Sequence, residues 1–163
     1  MDRLFVAVIG NRNSGKSKTW NTLFGHEVRT GKEPRRLQLA EGQSTEVFLI
    51  SGSNEERHRY AADVLANVDC RIVLCSVQYI DEAFELTWRH VFAEGFAIYA
   101  QWLNPGHDEH EYWDGLGLVN RLLRQGGVVS IRDGRDGDDP LDHRVEEIRQ
   151  YIHGWAAARD LVG

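Results

Sequence analysis

The sequence predicts an α/β protein of three layers, in which helices cover a mostly parallel sheet of six strands that includes one antiparallel strand. Two observations predict this fold. Apolar runs typical of strands alternate along the chain with segments whose apolar residues recur at helical spacing. Several strand segments are continuously apolar, as in parallel strands that are buried on both faces. A chain of 163 residues is long enough for one such domain with a full core.

The first predicted strand and helix enclose a loop. Residues 4–9 are all apolar and predict a buried strand, while residues 16–24 predict a helix that ends at Gly25. Residues 36–40 and 46–51 predict the next two strands. The short turn between these strands predicts a hairpin, so the two should pair in antiparallel fashion.

The rest of the chain continues the alternation of helices and strands. Ser53 and Glu56 form a capping-box pattern that predicts a helix over residues 53–67. The remaining predicted elements are a strand at 71–77, a helix at 81–94, a strand at 96–103, a helix marked by Tyr112, Leu116, Val119 and Leu123, a strand at 128–132, and a helix from Asp139 with the apolar stripe Leu141, Val145, Ile148, Ile152 and Trp155.

Residues 10–17, between the first strand and the first helix, have the sequence Gly-Asn-Arg-Asn-Ser-Gly-Lys-Ser. This sequence fits GxxxxGK[ST], the pattern of a loop whose backbone N–H groups bind phosphate at a helix N-terminus. Lys16 would neutralise the outer phosphates and is the candidate for a direct part in catalysis, and the Ser17 hydroxyl would bind Mg²⁺. The predicted phosphate-binding residues are Gly10, Asn13, Ser14, Gly15, Lys16, Ser17 and Lys18.

The stretch from Gly10 to Gly25 is similar to the Gly-Asn-x-Asn-x-Gly-Lys-Ser-…-Asn-x-Leu-x-Gly pattern of translation-factor-related bacterial GTPases. The order of predicted elements also resembles the Ras-like fold of small P-loop GTPases. The resemblance implies a Ras-like P-loop NTPase in which residues 1–163 form a single nucleotide-binding domain. It further implies a nucleoside triphosphate, GTP or ATP, as ligand together with Mg²⁺. Specific residue matches are confined to the first 25 residues.

Two later motifs of such GTPases are degenerate in this chain. Asp-x-x-Gly would follow the third strand, where residues 51–54 are Ser-Gly-Ser-Asn and provide no carboxylate to orient Mg²⁺. The guanine-reading Asn-Lys-x-Asp would follow the fifth strand, where residues 104–108 are Asn-Pro-Gly-His-Asp. Asn104 and Asp108 are therefore the candidate base-binding residues, and the sequence does not choose between GTP and ATP.

The resemblance also implies a threonine or serine that reaches Mg²⁺ from the segment after the first helix. The candidates are Thr30, Ser44 and Thr45, and the sequence does not choose among them. Trp102 and Trp113 flank the candidate base-binding segment and either pack in the core or wall a base pocket by stacking.

Three functions remain open. The first is a nucleotide-dependent switch or weak NTPase, slow because no residue is evidently placed to orient water, which a protein partner could activate. The second is a small-molecule or nucleotide kinase, with Arg57, Arg59 and Arg89 over the phosphates. The third is a non-enzymatic GTPase-like interaction module, which the missing carboxylate favours. An antiparallel strand at residues 36–40 would favour the first function over the second.

Composition limits the partners and the location. With 19 basic and 25 acidic residues the net charge is −6, which argues against general nucleic-acid binding. The basic cluster of Arg29, Lys32, Arg35 and Arg36 is interpreted as a solvated loop, with a partner-binding segment as the alternative.

No apolar run approaches the ~20 residues that span a bilayer, and the N-terminus leads directly into the first strand. Cys70 and Cys75 have neither disulfide nor metal spacing and are predicted to be small core residues in a reducing compartment. These observations predict a cytoplasmic protein without a membrane span.

Overall fold

A central sheet of six strands positions the other elements in the described part of the chain. The computed structural model describes residues 2–31, 33–51, 69–135 and 138–163, so the helix predicted over residues 53–67 lies outside the described residues. The strands are β1 Leu4–Gly10, β2 Arg35–Ala40, β3 Gln43–Ile50, β4 Ile72–Gln78, β5 Ala97–Leu103 and β6 Val128–Arg132. The described α-helices are α1 Lys16–Phe24, α2 Arg89–Ala93, α3 Leu118–Arg124 and α4 Asp138–Ala157. A π-helical turn at Phe84–Trp88 directly precedes α2.

The strands lie in the order β2-β3-β4-β1-β5-β6. β2 pairs with β3 in antiparallel fashion, whereas the β3–β4, β4–β1, β1–β5 and β5–β6 pairs are all parallel. At the centre, Val6 lies opposite Leu74 of β4 and Tyr99 of β5. The predicted mostly parallel sheet with one antiparallel strand is therefore confirmed.

The strand order decides which loops lie beside the segment that follows β1. Because β4 and β5 flank β1, the chain segments that leave these two strands adjoin residues 10–17. The end of β3 lies two strands from β1, about 10 Å away at the usual spacing of neighbouring strands. Groups that leave β4 and β5 are thus better placed to contact residues 10–17 than groups that leave β3.

Helices cover both faces of the sheet, and β1 contributes alternate side chains to the two cores. Leu4, Val6 and Val8 pack on one face with buried residues of α1 and α4, which are Trp20, Leu23, Val145, Ile148 and Ile152. Phe5, Ala7 and Ile9 pack on the other face with Trp88, Val91, Leu118 and Leu122. The apolar stripe predicted for the last helix therefore faces the core, as expected.

The helix predicted from Tyr112 was wrong in its first half. Residues 111–117 are not helical, and α3 begins only at Leu118. Leu118 and Leu122 are the buried residues of α3, whereas Leu123, which the predicted spacing placed in the core, is 54% exposed. The spacing was misleading because Tyr112 packs against Trp102 in a loop rather than on a helix.

Asp114 ties the loop before α3 to the helix itself. One carboxylate oxygen accepts the N–H of Leu118 at 2.9 Å and the other that of Val119 at 2.8 Å. The hydroxyl of Tyr79 donates to the first oxygen at 2.6 Å. Burial alone would raise the pKa of Asp114, but these hydrogen bonds outweigh burial and hold the pKa below its usual value.

Asp114→Ala will lower the free energy of unfolding by about 1–2 kcal/mol, because it removes the acceptor of two helix N–H groups. The folded-state pKa of Asp114 is lowered, so its stabilisation is present above the unfolded pKa of about 4 and is lost as the pH falls through the folded pKa. Urea unfolding of the wild type and of Asp114→Ala between about pH 3 and pH 7, where a carboxylate titrates, measures the difference in their free energies of unfolding.

The difference in free energy of unfolding between the wild type and Asp114→Ala should become smaller at the acidic end of this pH range. Asp142→Ala removes an exposed carboxylate from α4 and serves as the control. An equal effect of the two substitutions would contradict the role given to Asp114.

Candidate functional site

Residues 10–17, here named the glycine loop, can adopt their path only with glycine at two positions. A Cβ at Gly10 would lie 2.7 Å from the Ser14 Cβ, a clash that no rotation of the Ser14 side chain relieves, and 2.2 Å from the Ser14 Oγ. Gly15 has a φ of +106°, a left-handed conformation that disfavours any side chain, and it directly precedes α1. Asn13 is also left-handed at φ 60°, which asparagine tolerates. The loop is therefore a tight turn that leads into a helix N-terminus.

Lys16 lies beneath this turn. Its side chain is only 6% exposed, and its ammonium donates to the carbonyl oxygens of Gly10 at 3.0 Å and Asn11 at 2.8 Å. A buried charge needs such partners, since an uncompensated ammonium would be costly to remove from water. Lys16 thus holds the start of the loop against the start of α1 and adds positive charge where the helix dipole is also positive.

Ser14 carries an unusual hydroxyl. The residue is 2% exposed, and its Oγ has no hydrogen-bond partner among the described residues. A buried hydroxyl without a partner costs about 1–3 kcal/mol. This atom lies inside the turn, beside Gly10, so the interior of the glycine loop is polar.

The segment that follows β5 holds one side of the glycine loop. The N–H of His107 donates to the Ser14 carbonyl at 3.1 Å. Glu109 bridges the two segments, since one oxygen accepts the Asn11 side-chain amide at 3.0 Å and the other accepts the N–H of Gly106 at 3.2 Å. These contacts fix the loop on its β5 side.

The segment that follows β4 holds the other side. The N–H of Tyr79 donates to the Gly10 carbonyl at 3.0 Å, and its ring stacks on Trp102 with 5.2 Å between centroids. Tyr112 completes the cluster, and its hydroxyl accepts the Trp102 indole N–H at 3.0 Å. Burial, as the main cause, raises the pKa of Tyr79 and of Tyr112 to about 12, so both phenols are neutral near pH 7.

The two predicted base-binding residues have different surroundings. The Asn104 side chain is bonded at both ends to the backbone of Tyr112, donating to its carbonyl at 2.7 Å and accepting its N–H at 3.1 Å. Asp108 is exposed and lies 3.5 Å from the Nε2 of His107. Asn104 therefore shapes the loop, while the carboxylate of Asp108 faces water. Their part in binding a base stays a prediction.

The predicted pair of tryptophans does not form one wall. Trp102 is 2% exposed and belongs to the core, whereas Trp113 is 83% exposed. Trp102 therefore packs in the core, which was one of its two predicted alternatives, whereas Trp113 lies at the surface.

The three hydroxyl candidates for Mg²⁺ lie at opposite ends of β3. The Thr30 hydroxyl donates to the Ser51 carbonyl at 2.6 Å, at the carboxyl end of the strand. Ser44 and Thr45 lie near the amino end, where their hydroxyls donate to the carbonyls of Gly163 and Leu161. In parallel strands the carboxyl ends share one edge, so only Thr30 lies at the sheet edge of the glycine loop.

Arg144 is a residue that the sequence analysis missed. It lies on α4, is 3% exposed, and its guanidinium donates to the Thr19 hydroxyl of α1 at 2.5 Å. The signal was present in the sequence, because Arg144 falls between Leu141 and Ile148 on the apolar stripe. A charged residue on such a stripe indicates a buried polar contact.

Other predicted features lie outside this site. Within the described ranges, no three or more His, Cys, Asp or Glu side chains form a group that could hold a metal ion, and no helix is long and apolar enough to cross a membrane. Cys70 and Cys75 are buried and form no disulfide bond, as predicted, and burial raises the pKa of Cys70. In the basic cluster, Arg35 donates to the Arg29 carbonyl at 2.7 Å.

Neither the models of known protein families nor the sequences of curated proteins give a match to this chain. The function therefore has to follow from the chemistry of the site: a glycine turn at a helix N-terminus, with a buried ammonium beneath it and fixed segments on both sides. Such an arrangement favours an anion over a cation or an apolar ligand.

Glu109→Ala will loosen the glycine loop in the ligand-free protein. The substitution removes the partly buried acceptor of Asn11 and Gly106. The free energy of local opening of the loop should fall by about 1 kcal/mol, which raises the opening equilibrium constant about fivefold. Amide hydrogen exchange of Ser14, whose N–H bonds to the Asn11 carbonyl, should accelerate by that factor. Glu111→Ala, which removes an exposed carboxylate two residues away, is the control. Equal exchange rates in all three proteins would contradict the bridge.

Proposed function

We propose that the glycine loop binds the phosphates of a nucleoside triphosphate, and that the protein is a nucleotide-dependent switch or slow NTPase with a Ras-like P-loop domain. The observation that carries the proposal is the environment of Lys16. Its ammonium is bonded to two loop carbonyls and lies at the start of α1, in a turn that only glycine permits at Gly10 and Gly15. The GxxxxGK[ST] sequence and this geometry independently support the same ligand.

The residues of the loop fit a phosphate group. The Ser14 hydroxyl is buried without a partner among the described residues, and the helix N-terminus adds N–H donors that have no intrahelical acceptor. Charge-assisted hydrogen bonds to an anion would satisfy such donors. In this proposal, Gly10, Asn13, Ser14, Gly15, Ser17 and Lys18 surround the phosphates and Lys16 neutralises their charge.

Magnesium fits the same site through oxygen ligands. Mg²⁺ prefers hard oxygen ligands and often binds through substrate phosphates and few protein groups. Ser17 is exposed on the first turn of α1 and is the proposed protein ligand, with Thr30 as a second hydroxyl at the same sheet edge. The ion would neutralise phosphate charge when bound. Because the described residues form no carboxylate cluster, the ion should bind with the nucleotide and not alone.

Hydrolysis should be slow without a partner. The described residues beside the loop, Tyr79, His107 and Glu109, are engaged with the loop or its neighbours, and none is evidently placed to orient a water molecule. A protein activator that supplies such a group in trans would accelerate turnover. The ligand base stays open between guanine and adenine, with Asp108 as the proposed group that reads it.

The antiparallel strand β2 favours this function over a small-molecule or nucleotide kinase, for which an all-parallel sheet is expected. A non-enzymatic interaction module is the second candidate. The observation that favours it is Asn104, whose amide is committed to Tyr112 and so is not arranged to read a base as it stands. The two candidates differ in whether nucleotide binds and turns over.

Lys16→Ala will weaken the binding of a nucleoside triphosphate about 10- to 100-fold, since a charge-assisted hydrogen bond is worth about 1.5–3 kcal/mol. Calorimetric titration of the purified protein with ATP and with GTP, each with Mg²⁺, measures this and identifies the base. Arg124→Ala removes an exposed positive charge from α3 and is the matched control. Binding that is unchanged in Lys16→Ala, or absent in the wild type, would refute the proposal.

Ser17→Ala will abolish most of the gain in nucleotide affinity that Mg²⁺ provides, because it removes the proposed protein ligand of the ion. The measurement is the ratio of nucleotide affinities with Mg²⁺ and with a chelator, in the wild type and in the variant. Ser44→Ala is the control, because Ser44 lies near the amino end of β3, away from the sheet edge of the glycine loop. A ratio that Ser17→Ala leaves unchanged would exclude Ser17 as a ligand.

A further inference from the structure

Arg144 occupies a position where the helical spacing of apolar residues on α4 predicts an apolar side chain. It lies in the first half of α4, on the stripe formed by Leu141, Val145 and Ile148, and is 3% exposed. Burying a guanidinium carries a large desolvation cost, which its contacts must offset. An apolar residue would fill this position without that cost. The attraction of Asp133, whose pKa is lowered by hydrogen bonds and also by the charge of Arg144, offsets some of it.

The contacts of Arg144 lead to the glycine loop. Its Nη1 donates to the Thr19 hydroxyl at 2.5 Å, and that hydroxyl donates to the Gly15 carbonyl at 2.8 Å. The N–H of Thr19 bonds to the same carbonyl at 3.1 Å. A cationic donor polarises the hydroxyl and strengthens its bond to Gly15. The peptide that joins Gly15 to Lys16 is therefore held by two bonds from Thr19, and Arg144 strengthens one of them.

The guanidinium also lies directly against Gly15. A Cβ built on Gly15 would be 3.5 Å from the Arg144 Nη2 and 3.4 Å from the Gly134 carbonyl. Gly15 has no side chain to separate the charge from the loop backbone. Gln101 fixes the arginine from the sheet side: it donates to the Arg144 carbonyl at 2.9 Å and accepts from Nη1 at 3.4 Å. The positive charge thus has a fixed place behind the glycine loop.

We propose that Arg144 is a positioning residue that orients the Gly15 peptide through Thr19 and supplies a buried positive charge behind the phosphate-binding loop. The inference rests on the proposed function, since it assigns the charge to the binding of phosphate. The attraction of a positive charge grows with the number of phosphate charges, and a buried charge is screened less than an exposed one. Arg144 thereby makes the site selective for nucleoside triphosphates over monophosphates.

Arg144→Met and Arg144→Lys test the charge. Methionine fills a similar volume without charge, whereas lysine retains the charge and loses the planar fork. Affinities for the tri-, di- and monophosphate of the preferred base are measured by calorimetry. The expected result for methionine is an affinity for the triphosphate lowered about tenfold, with a smaller loss for the monophosphate, and lysine should restore most of the triphosphate preference.

Thr19→Val and Thr19→Ser test, in the absence of nucleotide, whether the Thr19 hydroxyl helps to hold the Gly15 peptide. Valine removes the hydroxyl and serine keeps it. Exchange of the Thr19 amide, or of the residue that replaces it, reports on the Gly15 carbonyl that it bonds. The rate should rise about fivefold in Arg144→Met and Thr19→Val, as expected for a loss of about one hydrogen bond, and stay near the wild-type rate in Thr19→Ser. If Arg144→Met does not fold, Arg144→Gln, which also removes the charge, replaces it in the affinity measurements, and Thr19→Val decides the positioning claim.

The matched control is Arg149→Met, which removes another α4 guanidinium that donates to α1, at the Leu23 carbonyl, 2.9 Å away. This control should change neither the triphosphate preference nor the exchange at position 19. An equal loss of affinity for all three nucleotides in Arg144→Met, or an unchanged exchange rate, would overturn the inference. If the wild type binds no nucleotide, the proposed function fails, while the exchange measurements still decide the positioning claim.

Discussion

The buried ammonium of Lys16 is the constraint on which the candidate site depends. An ammonium at 6% exposure needs acceptors, and the protein provides the carbonyls of Gly10 and Asn11. To bring these carbonyls to the start of α1, the chain must turn so tightly that Gly10 has no room for a Cβ and Gly15 has a left-handed conformation. The glycines, the lysine and the helix start thus form one structural unit.

The sheet order explains why this turn is held rigidly on two sides. β4 and β5 flank β1, so Tyr79 and the segment around His107 and Glu109 reach the glycine loop directly. α4, which packs on the same face of the sheet as α1, adds a third support through Arg144. The loop is therefore preorganised, which lowers the entropic cost of binding an anion there. The hydroxyl of Thr30 lies further along the same edge, beyond β4.

Much of the fold could be predicted because it depends on local pattern. Continuous apolar runs predicted β1, β4 and β5 to within about two residues, which is the usual uncertainty of element ends. The glycine loop was also recognisable, because its spacing reflects backbone geometry that only certain residues allow. The order of the strands could not be predicted, since buried parallel strands are alike in composition and any of them could lie beside β1.

The errors and omissions arose where distant residues decide the local structure. Tyr112 had helical spacing, yet its backbone pairs with the Asn104 side chain, and the segment stays a loop. An amide offers both a donor and an acceptor, which suits Asn104 to this pairing, and its part in binding a base stays a prediction. The contact between Arg144 and Thr19 forms only when α4 packs on α1, and no local sequence pattern specifies that packing.

The most direct test of phosphate binding by the glycine loop is an NMR titration of ¹⁵N-labelled protein with Mg²⁺ and the triphosphates ATP and GTP. One of them should shift the amide resonances of residues 13–17 most strongly and leave those of the basic cluster near Arg29 and Arg35 almost unchanged. If saturating amounts of both nucleotides leave residues 13–17 unperturbed, or the shifts concentrate in the basic cluster, the glycine loop is not the phosphate site.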